Sequence, residues 1–136
     1  MSWNRNLAAL MLFSALLATA CDEGPTAPSS DGTVTFKVSD ETFRVRLTTP
    51  AQIAAAEAAQ NGGRARIPSG RIVLGTEVNS GWRWHLEDVE FAEATIEVCD
   101  GRPSDVETQG TAFGGGRFCP WSATIVGIDK PAGASH

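Results

Sequence analysis

The sequence predicts an α+β domain: a mainly antiparallel β-sheet with one helix packed on it, a short second helix and one intrachain disulfide. Three observations carry this reading. Apolar and polar residues alternate with period two in short runs broken by turn residues. A complete capping signal opens an alanine-rich segment at Thr49. Two cysteines, Cys99 and Cys119, stand at the ends of expected strands and enclose a loop. The chain of 136 residues has room for one domain, placed at residues 33–129.

In chain order, Thr33 to Val38 puts Val34, Phe36 and Val38 on one face, and Phe43 to Leu47 repeats the pattern after Ser39-Asp40-Glu41. This is an antiparallel hairpin whose outer face carries Lys37, Arg44 and Arg46. Thr49, Pro50 and Gln52 then form a capping box with proline at the first helical position, and Asn61-Gly62-Gly63 closes the helix. Its buried stripe is expected to hold Ile53, Ala56 and Gln60. Arg64 to Ser69 reads as a polar loop, and Gly70 to Gly75 as a short buried strand.

In the run from Gly81 to Gly101, Trp82 and Trp84 share one face of an extended chain and Arg83 and His85 the other. Ala94, Ile96 and Val98 alternate cleanly, and Val89 and Phe91 are out of step with them. A bulge near Ala92 is therefore expected, followed by a strand ending at Cys99. Ser104 and Glu107 suggest a second capping box and a helix of two turns. Phe113 to Arg117 is expected to be a flexible loop, Cys119 to begin a strand, and Ser122 to Ile128 to be a central strand. The tail, 130–136, is expected to be disordered.

The N-terminus points to export. Arg5 precedes the apolar run Leu7 to Ala18, which is short for a membrane span and has the form of a signal-peptide core. A signal peptide is placed at 1–20. Leu17-Ala18-Thr19-Ala20-Cys21 resembles a bacterial lipobox, although Ala18 stands where Leu is commonest; Ala18-Thr19-Ala20 also satisfies ordinary signal cleavage. Cysteine arithmetic favours lipidation, because Cys21, Cys99 and Cys119 are odd in number and an acylated Cys21 leaves one pair. Residues 21–32 then form a lipidated cysteine and flexible tether, rich in Pro, Gly, Ser and acids. Asp22 resembles an inner-membrane retention signal. The expected location is the cell envelope, anchored to a membrane by lipid on Cys21, with secretion if that residue is not acylated.

Residues after the signal carry ten Lys and Arg against sixteen Asp and Glu. That balance argues against nucleic acid. Several chemistries lack their residues. There is no C-x-x-C, no G-x-S-x-G, no P-loop and no calcium-loop pattern. Glu87, Asp88, Glu90, Glu93 and Glu97 are expected to pair with Lys37, Arg44 and Arg46 across strands. No cofactor or metal is implied.

Trp82, Trp84, His85, Arg117 and Trp121 are the candidate binding surface, with a core role expected for at least two of the tryptophans. The preferred function is a non-enzymatic binding domain for an envelope protein or a glycan. One alternative is a small hydrolase or thiol enzyme centred on His85. Another is a protease-inhibitor-like module presenting Gly114 to Arg117.

The segments TFRVRLTTPAQIAAA, GWRWHLEDVEFAEATIEVCDGRPSDVE and GGGRFCPWSATIV together resemble a group of small exported bacterial domains, some carried under the name calmodulin-binding protein. The resemblance covers about Thr33 to Ile128. It implies a small exported domain and supplies no activity, cofactor or site residue.

Overall fold

The computed structural model describes residues 31–130. The chain forms β1 (Gly32–Val38), β2 (Glu41–Leu47), α1 (Pro50–Gln60), β3 (Ile67–Leu74), β4 (Trp84–Ala92), α2 (Pro103–Gln109), β5 (Arg117–Phe118) and β6 (Thr124–Asp129), with 3-10 turns at Glu97–Cys99 and Gly110–Gly115. The class is the expected α+β, but the strands divide between two three-stranded antiparallel sheets, ordered β2-β1-β6 and β4-β3-β5.

The sheets meet through aromatic side chains. Phe43 packs against Trp84 at 6.0 Å and Phe118 at 5.3 Å between ring centroids, and Phe36 reaches Phe91 at 6.0 Å. Alternation in β1 and β2 supplies the rest of this core, with Val34, Val38, Val45 and Leu47 buried. Ser39, in left-handed backbone at φ 56°, makes the tight turn between them. The capping box at α1 forms as expected: Gln52 N donates to Thr49 Oγ1 and Thr49 N to Gln52 Oε1, both at 3.1 Å. The same Gln52 donates through Nε2 to Val89 O at 2.9 Å, tying the helix start to β4. Ala56 is buried and Ile53 packs on the core, whereas Gln60 is exposed rather than part of the stripe.

The bulge sits earlier than expected. Ser69 pairs with Glu90 and Arg71 with Glu87, so Asp88 and Val89 together oppose Gly70. Asp88 takes φ 51° there, a conformation Asp tolerates. The bulge reconciles Trp84 and Leu86 with Val89 and Phe91 on one inward face. Gly70 is required opposite it, because a Cβ would lie 3.0 Å from Leu86 Cβ and Val89 Cγ2.

Other expectations are corrected. β3 begins at Ile67, inside the expected polar loop. Ala94 to Val98 is not a strand: the chain leaves the sheet after Ala92, and Ile96 and Val98 are 64% and 66% exposed. Cys99 closes a 3-10 turn and Cys119 follows β5 rather than beginning a strand. The α2 cap falls earlier than Ser104, with Arg102 N donating to Asp105 at 2.8 Å, while Glu107 is engaged elsewhere. Phe113 to Arg117 is folded: Phe113 is buried, and a Cβ on Gly114 would meet Cys99 Cα at 2.8 Å. β6 is an edge strand, not a central one, and its extra residue, Val126, points to solvent at a break in register with β1.

The two sheets are clamped along one side by the turn between β3 and β4. Asn79, fully buried, accepts from Arg44 N of β2 at 2.8 Å and donates to Trp84 O of β4 at 2.9 Å. Trp82 Nε1 adds a bond to Thr42 O at 2.8 Å. Neither bridge is visible in the sequence. The signal peptide, Cys21, nearly all of the tether and the tail beyond Lys130 lie outside the described residues.

Candidate functional site

The residues grouped by the sequence are dispersed. Trp84 is 1% exposed and belongs to the core, and Trp82 packs beside it at 6.2 Å between centroids. The core expectation for two tryptophans thus describes these two. His85 lies on the opposite face of β4 from Trp84 and is 8% exposed. Its Nδ1 lies 2.7 Å from Gly75 O and its Nε2 3.3 Å from Glu87 Oε1. Arg117 lies in β5, opposite Arg71, and donates to Ser69 Oγ at 2.9 Å. It is not on a protruding loop. Trp121 sits beyond the far end of β4 from His85.

The ion pairs also differ from expectation. Arg44 pairs with Asp129 and Arg46 with Glu77. Glu87 and Asp88 both engage Arg71. Lys37 has no carboxylate partner among the described residues. The cause is geometric: Glu87 and Asp88 of β4 stand beside Arg71 on β3 of the same sheet, whereas Lys37, Arg44 and Arg46 belong to the other sheet. At the start of β4, Arg83 donates to Glu107 through its backbone N and Nε, at 2.9 and 2.5 Å. The Arg83 side chain, then its backbone amide, hold the Glu107 carboxyl below its usual range.

At the far end, Cys99 and Cys119 form the disulfide, with Cα atoms 5.1 Å apart, and Cys119 N donates to Cys99 O at 2.8 Å. Both described thiols are therefore consumed. Trp121 follows directly and is fixed at two points. Its backbone N donates to Asp100 Oδ1 at 2.8 Å and its indole Nε1 to Thr95 Oγ1 at 2.5 Å. Asp100 also accepts from Gly101 N at 3.0 Å, so one carboxylate organises the loop. Trp121 nevertheless remains 44% exposed.

That ring forms one wall of a groove of about 380 Å³ between the end of α1 and the approach to β6. Gln60 and Arg66 face it from one side, and Ser122, Thr124 and Ile125 from the other. Arg66 has no carboxylate partner among the described residues. The groove thus combines a pinned aromatic face, an unpaired guanidinium, and amide and hydroxyl groups that donate and accept. Of its residues only Trp121 was singled out by the sequence. Arg66 lay in the expected loop, and its one signal was its place in the basic run Arg64-Ala65-Arg66.

The family model for the BP-74 N-terminal domain matches residues 31–132, and the chain belongs to that family. No curated protein and no solved structure matches the chain.

Proposed function

We propose that this member of the BP-74 N-terminal domain family is an exported, membrane-tethered lipoprotein whose domain binds a glycan without transforming it. The observation that carries the binding reading is Trp121. Its N–H and backbone are held by Thr95 and Asp100, so ordering the ring costs little on binding, while its face stays open to the groove. Sugars present C–H faces that stack on indole and hydroxyls that match Gln60, Ser122 and Thr124. Arg66 favours a carboxylate-bearing sugar, and its free guanidinium can bind that group through two parallel hydrogen bonds.

The tether reading rests on the sequence around Cys21 and on cysteine pairing. Cys99 and Cys119 bond to each other, which leaves Cys21 as the odd cysteine. Intact mass of the native protein tests it: a diacylated or triacylated Cys21 is expected, and a free amine and thiol there would end the anchor claim. Calorimetric titration with oligosaccharides bearing uronic or muramic carboxylates tests the domain. Binding is expected to weaken at least tenfold in Trp121→Ala and to lose its preference for the acidic sugar in Arg66→Gln. Equal binding by wild type and Trp121→Ala would remove the groove from the account.

A further inference from the structure

The three described tryptophans differ in how their indole nitrogens are satisfied. Trp82 Nε1 donates to Thr42 O and Trp121 Nε1 to Thr95 Oγ1. Trp84 Nε1 is the one buried side-chain nitrogen or oxygen among the described residues with no hydrogen-bond partner. A buried donor left unpaired costs about 1–3 kcal/mol and calls for an acceptor. The same residue lines a second cleft, of about 420 Å³, at the opposite end of the domain from the Trp121 groove.

The composition of this cleft limits what that acceptor belongs to. Leu74 and Val106 give it apolar walls, and Leu74 is 66% exposed, an apolar side chain held out of the core. Arg83 stands at the rim with its side chain 85% exposed. Glu107 occupies only the Nε and backbone N of Arg83, so the two Nη groups remain open. From floor to rim the cleft has Trp84 with its covered neutral donor, an apolar lining, and the Arg83–Glu107 ion pair whose two Nη groups are open. That order matches a molecule with a carbonyl, an apolar side chain and a carboxylate.

We propose that this cleft binds the carboxylate end of an apolar acyl amino acid, either free or as the last residue of a peptide. The acyl carbonyl accepts the Trp84 indole proton. The side chain lies against Leu74 and Val106. The carboxylate takes the two Nη groups of Arg83. Because Trp84 Nε1 is itself covered in the unliganded domain, the wall must shift as the carbonyl enters, and Leu74, 66% exposed, is the apolar lining side chain free to move.

The test is a titration of the ¹⁵N-labelled full chain, reading the indole N–H resonances, with the Trp84 signal assigned through Trp84→Phe. The probes are N-acetyl-leucine, N-acetyl-leucine amide and N-acetyl-Ala-Ala-Leu. N-acetyl-leucine is expected to move the Trp84 resonance downfield and saturably, leaving those of Trp82 and Trp121 in place. The amide is expected to bind about tenfold more weakly for want of the charge-assisted bonds. Arg83→Gln, a change at the surface, should bind acid and amide equally. Tighter binding of the tripeptide would identify a peptide terminus, and equal binding a free acyl amino acid. A Trp84 signal that stays still at every probe concentration would overturn the proposal. So would equal response to acid and amide in the wild type, or a single ordered water on Nε1 that the probes leave undisturbed.

Discussion

Replacing Asn79 by alanine tests the inter-sheet clamp. The side chain is fully buried and joins two edges that share no strand ladder, accepting from Arg44 N and donating to Trp84 O. Alanine leaves both backbone groups without a partner in a site closed to water. Each such loss costs about 1–3 kcal/mol, so the pair should cost roughly 2–6 kcal/mol. Against a total stability of about 5–15 kcal/mol this is a large fraction. At about 4–8 °C per kcal/mol for a domain of this size, it corresponds to a fall in Tm of roughly 8–48 °C. Urea denaturation followed by far-UV circular dichroism measures the energy, and hydrogen exchange at the Arg44 amide locates it. Asn79→Asp should do no better, since a carboxylate oxygen then faces the Trp84 carbonyl. Ser80→Ala, in the same turn but exposed, should stay within about 0.5 kcal/mol of wild type. An Asn79→Ala variant as stable as Ser80→Ala, with Arg44 still protected, would refute the clamp.

Three further outcomes are expected. Gly70→Ala should cost about 1–3 kcal/mol in the same denaturation assay, because its Cβ would press on Leu86 and Val89 at the bulge. Replacing both Cys99 and Cys119 by alanine should cost about 3 kcal/mol on the chain-entropy account for a bridge spanning 20 residues, and should increase the quenching of the already exposed Trp121 by acrylamide. Glu107→Gln reports on pH. The folded carboxyl titrates below its usual range because Arg83 donates to it, so its stabilisation is fully present above about pH 4.3 and fades as pH falls through the lower folded value. The Tm difference between wild type and variant should therefore be largest near neutrality and close under acid. A difference that widened on acidification would reverse the sign of that linkage.

What the sequence disclosed depended on how local the cause was. The β1–β2 hairpin and the α1 capping box are written within a few residues, and both formed where expected. The disulfide was expected from two thiols at facing strand ends of an exported protein; it forms, although Cys99 closes a 3-10 turn and Cys119 only follows a strand. The bulge was detectable as a parity conflict, but comparison with Ala94, Ile96 and Val98 put it near Ala92; the conflict lies between Leu86 and Val89. Those three residues alternate without forming a strand, because the chain turns out of the sheet to reach the disulfide at Cys99. β6 read as central since both of its faces are apolar. In the structure Ile125 and Ile128 pack on the core, and the break in register turns Val126 outward. Asn79 reads locally only as a turn residue and Arg66 only as part of a basic run, because each derives its role from elements distant in sequence.

The central claim is that ligand meets the Trp121 face. The direct measurement is a backbone amide shift map of the full chain titrated with a soluble oligosaccharide bearing a muramic or uronic carboxylate. Saturable shifts at Gln60, Arg66, Trp121, Ser122 and Thr124 are the expected result. Shifts confined to the Lys37, Arg44 and Arg46 face, or none at any concentration, would contradict it.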